Sequence, residues 1–185
     1  MSQSMATADA NPRGPAGVSG DEHNQYLTFM LQGEMFAIGI LAIKEILEYG
    51  QLTTVPMIPG FIRGIINLRG AAVPVVDLGA RFGNRPSAIT KRSCIVILEV
   101  AAAEGRRQHF GVLVDAVSAV LEIQREDIEP PPSFGTAVCI DFIAGMGKIG
   151  DRFVILLDVD RVLSGEGPGA IARTAVAMPE NPALT

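Results

Sequence analysis

The sequence has no tryptophan, and aromatic residues make up only 5% of it. That is too few for the stacking platforms that hold single-stranded nucleic acid or sugars. Histidine and cysteine occur twice each, which leaves little material for a structural zinc site and none for a disulfide framework. Positive charge is also short: 15 Lys and Arg stand against 20 Asp and Glu, a net charge of -5. Binding to nucleic acid rests on clustered cations, so no nucleic-acid partner is expected. Long apolar runs are missing as well. The longest, Phe36 to Ile43, ends at Lys44 and Glu45, far short of the roughly 20 residues that span a bilayer. No direct membrane insertion is expected.

The first residues, MSQSMATADANPRGPAGVSGDE, have neither a basic start nor an apolar stretch, so they do not read as a secretory signal. The expectation is a cytoplasmic protein with Cys94 and Cys139 as free thiols. What the chain does have is core material: 48% hydrophobic and 19% charged residues in 185, enough for one ordinary domain. The Gly, Pro and Ala-rich ends predict flexible tails over 1–25 and 165–185, leaving a folded region over 26–164.

That region contains itself twice. FAIGILAIKEIL from Phe36 aligns with FGVLVDAVSAVL from Phe110, with Phe36 over Phe110, Ile38 over Val112, Ile43 over Val117 and Leu47 over Leu121. FIRGIINLRGAAVPVVDL from Phe61 aligns with FIAGMGKIGDRFVILLDV from Phe142, with Gly64 over Gly145 and Asp77 over Asp158. The offset changes only across a proline-containing loop, where insertions are tolerated. Two long matches in the same order point to internal duplication.

Each half reads mainly as strands. Tyr26–Leu31 and Cys94–Val100 are β-branched or aromatic runs leading to second strands at Met35 and Gln108. Ile62–Leu68, Arg69-Gly70 and Ala71–Val76 form a hairpin, repeated as Ile143–Ile149, Gly150-Asp151 and Arg152–Leu157. Pro74 predicts an edge or a bulge, since it has no N–H for a ladder. Short helices are expected over Leu78–Phe82 and Val159–Leu163, with Asp77 and Asp158 as caps. Five short strands per half predict an all-β fold of two small, pseudo-symmetric, five-stranded β-barrels packed together, because closure removes exposed edges. The first would cover about 26–90 and the second about 91–164, with exchange of elements between them left open.

Catalytic motifs fail on inspection. Gly145 to Gly150 spells G-x-G-x-x-G, but the run Phe153–Leu157 that follows is β-like, whereas a dinucleotide site needs a helix N-terminus there. The glycines read as hairpin residues. Asp77 and Asp158 read as caps rather than a carboxylate pair. His23 and His109 have no nucleophile or carboxylate at an interpretable spacing, and Cys94 sits in an apolar strand. No enzyme activity and no cofactor are expected. One asymmetry stands out: Glu45 and Arg69 align with Ala119 and Gly150, so both charges belong to the first repeat alone.

FIRGIINLRGAAVPVVDLGARF resembles the CheW family of chemotaxis coupling proteins, as do FAIGILAIKEIL and the closing GKIGDRFVILLDV. The resemblance covers essentially all of 26–164. It implies SH3-like barrels and a non-enzymatic adaptor that joins the cytoplasmic helical tips of chemoreceptors to the regulatory domain of a CheA-type histidine kinase. It further implies a cytoplasmic protein recruited to membrane-associated receptor arrays. An adaptor of another chemosensory array, such as one for twitching motility, is the alternative; a small-ligand barrel is the more distant one. By position, Ile43, Glu45, Gly64, Arg69, Cys94 and Ile95 match the family's receptor-coupling positions. An apolar groove edged by an Arg69–Glu45 charge pair would suit an amphipathic helix.

Overall fold

The computed structural model describes residues 24–82, 85–131 and 140–163. Cys139, His23 and nearly all of both expected tails lie outside the described residues. In chain order the strands are β1 (Gln25–Leu31), β2 (Glu34–Gly39), β3 (Ile43–Glu48), β4 (Ile62–Leu68) and β5 (Ala71–Asp77). They continue with β6 (Cys94–Ala101), β7 (Arg107–Val114), β8 (Ala116–Glu122), β9 (Ile128–Glu129), β10 (Ile143–Ile149) and β11 (Arg152–Leu157). Two short helices, α1 (Leu78–Arg81) and α2 (Val159–Leu163), follow β5 and β11. Both begin at the expected aspartates: the Asp77 carboxylate accepts from Ala80 N and the Asp158 carboxylate from Arg161 N.

The strands form two sheets, in the orders β3-β6-β7-β5-β4 and β8-β1-β2-β11-β10-β9. Replacing each strand by its repeat partner turns the first order into the second, with β9 added at one end. The register repeats too. β3 and β4 each skip a residue against their neighbours, at Lys44 and Arg63, and β8 and β10 do so at the aligned Ser118 and Ala144. Parallel pairing of Val75 with Gly111 recurs as Leu156 with Ala37. The boundary near residue 90 that divides the sequence halves does not divide the sheets. Each half lends its first two strands to the other half's sheet, because β5 pairs with β7 and β11 with β2.

Side chains from all five strands of the first sheet converge on one interior: Leu47, Ile66, Leu68, Val73, Val75, Ile95, Ile97 and Leu113. This is barrel I, with its seam between the end strands β3 and β4. Barrel II encloses Tyr26, Met35, Ala37, Ile128, Ile149, Val154 and Leu156. A third and larger cluster joins the barrels, from Leu27, Phe29, Phe36 and Leu157 on one side to Val76, Leu98, Phe110 and Val112 on the other. The central strands, β5, β6 and β7 in barrel I and β1, β2 and β11 in barrel II, therefore bury one face inside their own barrel and the other against its twin. This accounts for the near-continuous apolar run Ile95–Leu98, buried throughout.

Pro74 departs from expectation, since β5 is an interior strand. Pro74 lies opposite Ile65, whose N–H and C=O both turn outward to Thr53. The pair therefore exchanges no ladder bonds, and the missing N–H faces β7, where pairing begins only at Val75.

Candidate partner-binding site

Arg69 occupies the first position of the two-residue β4–β5 turn, with φ 52° followed by Gly70 at 87°. Both angles are positive, the pattern of a type I′ turn, whose twist suits a hairpin. The Asn67 carboxamide oxygen accepts from Gly70 N at 2.8 Å and braces the turn. From there the Arg69 guanidinium reaches across the barrel I seam to Glu45 on β3, with Nη1 3.1 Å from Oε1 and Nη2 3.3 Å from Oε2. The two contacts form a bidentate fork. The Arg69 side chain is 78% exposed and that of Glu45 25%, so the pair lies in water where another protein could reach it.

A left-handed backbone at arginine is strained, and in the aligned turn the first position is Gly150, at φ 58°. The two-residue β1–β2 turn has the same pair of positive angles, Gln32 at 51° and Gly33 at 84°, so the conformation belongs to the turn type.

The six residues matched by family position do not form one surface. Ile43 is half-buried against the inter-barrel core, two residues before Glu45. Cys94 is half-buried at the start of β6, opposite Glu48, with Sγ 3.3 Å from the Arg92 carbonyl oxygen. Ile95 is 1% exposed inside barrel I, so it supports β3 from within and cannot touch a partner. Gly64 is also buried. Its φ is 155°, and a Cβ there would lie 2.7 Å from the Thr53 carbonyl oxygen. Gly64 lets the 49–61 loop close on β4 and makes no outward contact.

The sequence reading missed a second charged group. Glu99 on β6 lies opposite His109 on β7. Its carboxylate receives Arg107, His109 Nε2 at 3.0 Å and, from the β3 bulge, Lys44 Nζ at 3.0 Å. The hydrogen bonds from Arg107 and Lys44, helped by that from His109, outweigh burial and hold the Glu99 carboxyl at about 2, down from 4.5. His109 thus has a carboxylate partner after all. The signal was in strand register rather than in spacing: only the β6–β7 pairing, 10 residues apart in sequence, puts the two side by side.

The G-x-G-x-x-G string lies along β10 and ends at Gly150 in the turn before β11. Within it, a Cβ on Gly147 would come 3.0 Å from Ile123 Cδ1, so this glycine admits a core side chain. Asp77, 1% exposed, accepts from Ser87 N and Ser87 Oγ as well as from its helix, with Arg63 3.7 Å away. It organises the segment after α1. Among the described residues no group of His, Cys, Asp and Glu is arranged to hold a metal ion, and no helix is long and apolar enough to cross a membrane.

Comparison with known proteins settles what this scaffold is. The CheW-like domain family matches residues 25–167. The chain belongs to the CheW family. A chemotaxis protein CheW of Klebsiella aerogenes is 35% identical, over 77% of this chain and 82% of its own length. A probable chemotaxis protein CheW of Rhizobium etli is 33% identical, over 76% and 87%. Among solved structures, the scaffolding protein TtCheW from Thermoanaerobacter tengcongensis superposes with a TM-score of 0.70 at 32% identity, covering 85% of this chain and 94% of its own. The paired barrels, exchanged strands and buried glycines are thus features of a CheW-family scaffold, whose role is non-catalytic.

Proposed function

We propose that this chemotaxis adaptor holds the cytoplasmic helical tip of a chemoreceptor and the regulatory domain of a CheA-type histidine kinase in one complex, and that the Arg69–Glu45 fork is part of its partner surface. The observation that carries the reading is the fork itself. It spans an exposed seam, it is bidentate, and the second repeat has no counterpart to either charge. An exposed ion pair stabilises a fold by only ~0–1 kcal/mol, so self-stabilisation is a weak reason for a pair that the second repeat does without. A charge pair at the rim of an interface fixes orientation and rejects wrong partners. Ile43 and Glu45 flank the Lys44 bulge on β3: Ile43, opposite Leu98, turns toward the inter-barrel core, and Glu45, opposite Ile97, carries the charge. Gly64 and Ile95 act from beneath by setting the position of β3 and β4. Recruitment to the membrane then follows from binding the receptor, with no insertion by this chain. Neither nucleic acid nor a cofactor enters the proposal.

The test is co-sedimentation. Receptor-containing membranes should pellet this chain, and the kinase should enter the pellet only when the chain is present. A kinase that pellets equally without the chain would overturn the adaptor reading.

A further inference from the structure

The cluster between the barrels is apolar, and apolar burial is non-directional; its packing and two short chain crossings, Gly39 to Ile43 and Val114 to Ala116, set the angle only coarsely. One directional group crosses that boundary at a place of symmetry. Arg81, on α1 of barrel I, has its guanidinium carbon 4.8 Å from the ring centroid of Phe61 and 4.8 Å from that of Phe142. These phenylalanines are repeat partners. Their carbonyl oxygens accept equivalent bonds, from Asp77 N at 2.7 Å and Asp158 N at 2.8 Å. Arg81 Nε also donates to the carbonyl of Val162 at 3.2 Å. Val162 on α2 is the residue that the repeat aligns with Arg81 itself. The Arg81 cation therefore lies where the two halves meet, between one ring from each barrel. Phe82 extends the contact, with its ring 5.8 Å from Phe36 and 5.8 Å from Phe142.

We propose that Arg81 is a positioning residue that sets the angle between the two barrels, and so the relative orientation of partners bound to each. The proposal rests on the adaptor reading only for its second half. A planar guanidinium between two rings, with one N–H fixed on a carbonyl, resists both rotation and sliding. Further polar ties at the boundary, from Gln32 Nε2 to the Arg85 carbonyl oxygen at 3.0 Å and from Gln32 N to the Asp115 carboxylate at 2.7 Å, are exposed to water. Arg81 is half-buried, which makes its contacts the stiffer constraint.

Arg81→Leu tests this, because leucine fills the space between the rings and leaves only direction missing. Residual dipolar couplings from the full chain should fit one alignment tensor for both sheets in the wild type and need two in the variant. Receptor-dependent kinase activation should fall by about 2- to 30-fold, the range seen when a coupling element is altered, while the affinity for kinase alone stays within about twofold, as for a site out of contact. One tensor in the variant would overturn the orientation claim. Two tensors with undiminished activation would overturn its functional half. If the wild type itself failed to activate the kinase, the adaptor reading would fall and the tensors would still decide the claim about angle. Should the leucine variant not fold, Arg81→Lys, which keeps the cation and loses the planar fork, is read by the same criteria.

Discussion

Barrels I and II share a strand order, two bulges and a helix placement, yet opposite ends of their chemistry occupy equivalent sites. In barrel I, Glu99 faces His109 across β6 and β7, with Lys44 from the bulge joining them. At the same register in barrel II, Met30 faces Met35, and the bulge residue is Ser118. Glu45 and Arg69 are replaced by Ala119 and Gly150. In barrel II the Thr28 hydroxyl donates to the Ala119 carbonyl oxygen at 2.8 Å and accepts from Ala119 N at 3.2 Å, so the bulge is satisfied internally. The duplicated backbone tolerates either arrangement. The backbone therefore does not need the charges of barrel I, since its second copy is built without them.

The largest stability effect expected from this comparison lies beneath the charges. Gly64→Ala would put a Cβ 2.7 Å from a backbone oxygen at φ 155° and should cost about 2–4 kcal/mol. Its partner Gly145 has the close approach, 2.8 Å to Ile128 Cγ2, without the positive φ. Gly145→Ala should cost less, about 1–3 kcal/mol. Urea unfolding of the two variants measures the difference; equal losses would mean that the glycines do the same work.

Next comes the barrel interior. At the parallel pairing site, barrel I has Gly111 and barrel II Ala37. A Cβ on Gly111 would meet Ile95 Cγ2 at 2.8 Å and Val75 Cγ2 at 3.1 Å, both on stiff β-branched side chains. Gly111→Ala should therefore destabilise by about 1–3 kcal/mol through overpacking. Ala37→Gly should destabilise by about 0.5–1 kcal/mol through added chain freedom and lost contact. A stabilised Gly111→Ala in thermal unfolding would show that the interior has room to spare.

Smaller still is the acid dependence of the Glu99 cluster. The folded-state pKa lies below the usual value, so the cluster contributes fully above about pH 4.5 and loses its contribution as the pH falls toward 2. In Glu99→Gln the melting temperature should lie below wild type at pH 6, and the two curves should converge between pH 4.5 and 2. A constant gap across that range would remove the cluster from the pH response.

Most of the scaffold was legible in the sequence. Alternating and β-branched runs marked the hairpins, and Ile62–Leu68, Ile143–Ile149 and Arg152–Leu157 form strands over the expected residues. Aspartate before Leu78 and Val159 marked the helix starts. The swap of β1–β2 and β6–β7 between sheets was left open, because an apolar strand buried on both faces carries no mark of which sheet receives it. Ile95 matches a contact residue by family position, and nothing in the sequence sets it aside. Its neighbours in sequence are as apolar as an interface, and only the sheet's curl shows that it points inward. Arg69 and Glu45 could be paired in advance because both charges are absent from the second repeat and both match the family's coupling positions. The Glu99 cluster has a similar absence, Met30 and Met35 standing in its place, but that correspondence becomes visible only once the strands are paired.

The central claim is that the Arg69–Glu45 fork serves a partner rather than the fold. Arg69→Glu places like charges together at the seam, and the double exchange Glu45→Arg with Arg69→Glu restores a pair of reversed polarity. Both variants should melt near wild type, because an exposed substitution usually shifts stability by about 0.5 kcal/mol or less. Receptor-dependent kinase activation, measured with the same preparations, should collapse in Arg69→Glu and stay low in the double exchange, since a partner reads the direction of the pair and not merely its presence. Full recovery in the double exchange, or a loss of melting temperature that accounts for the loss of activation, would contradict the claim.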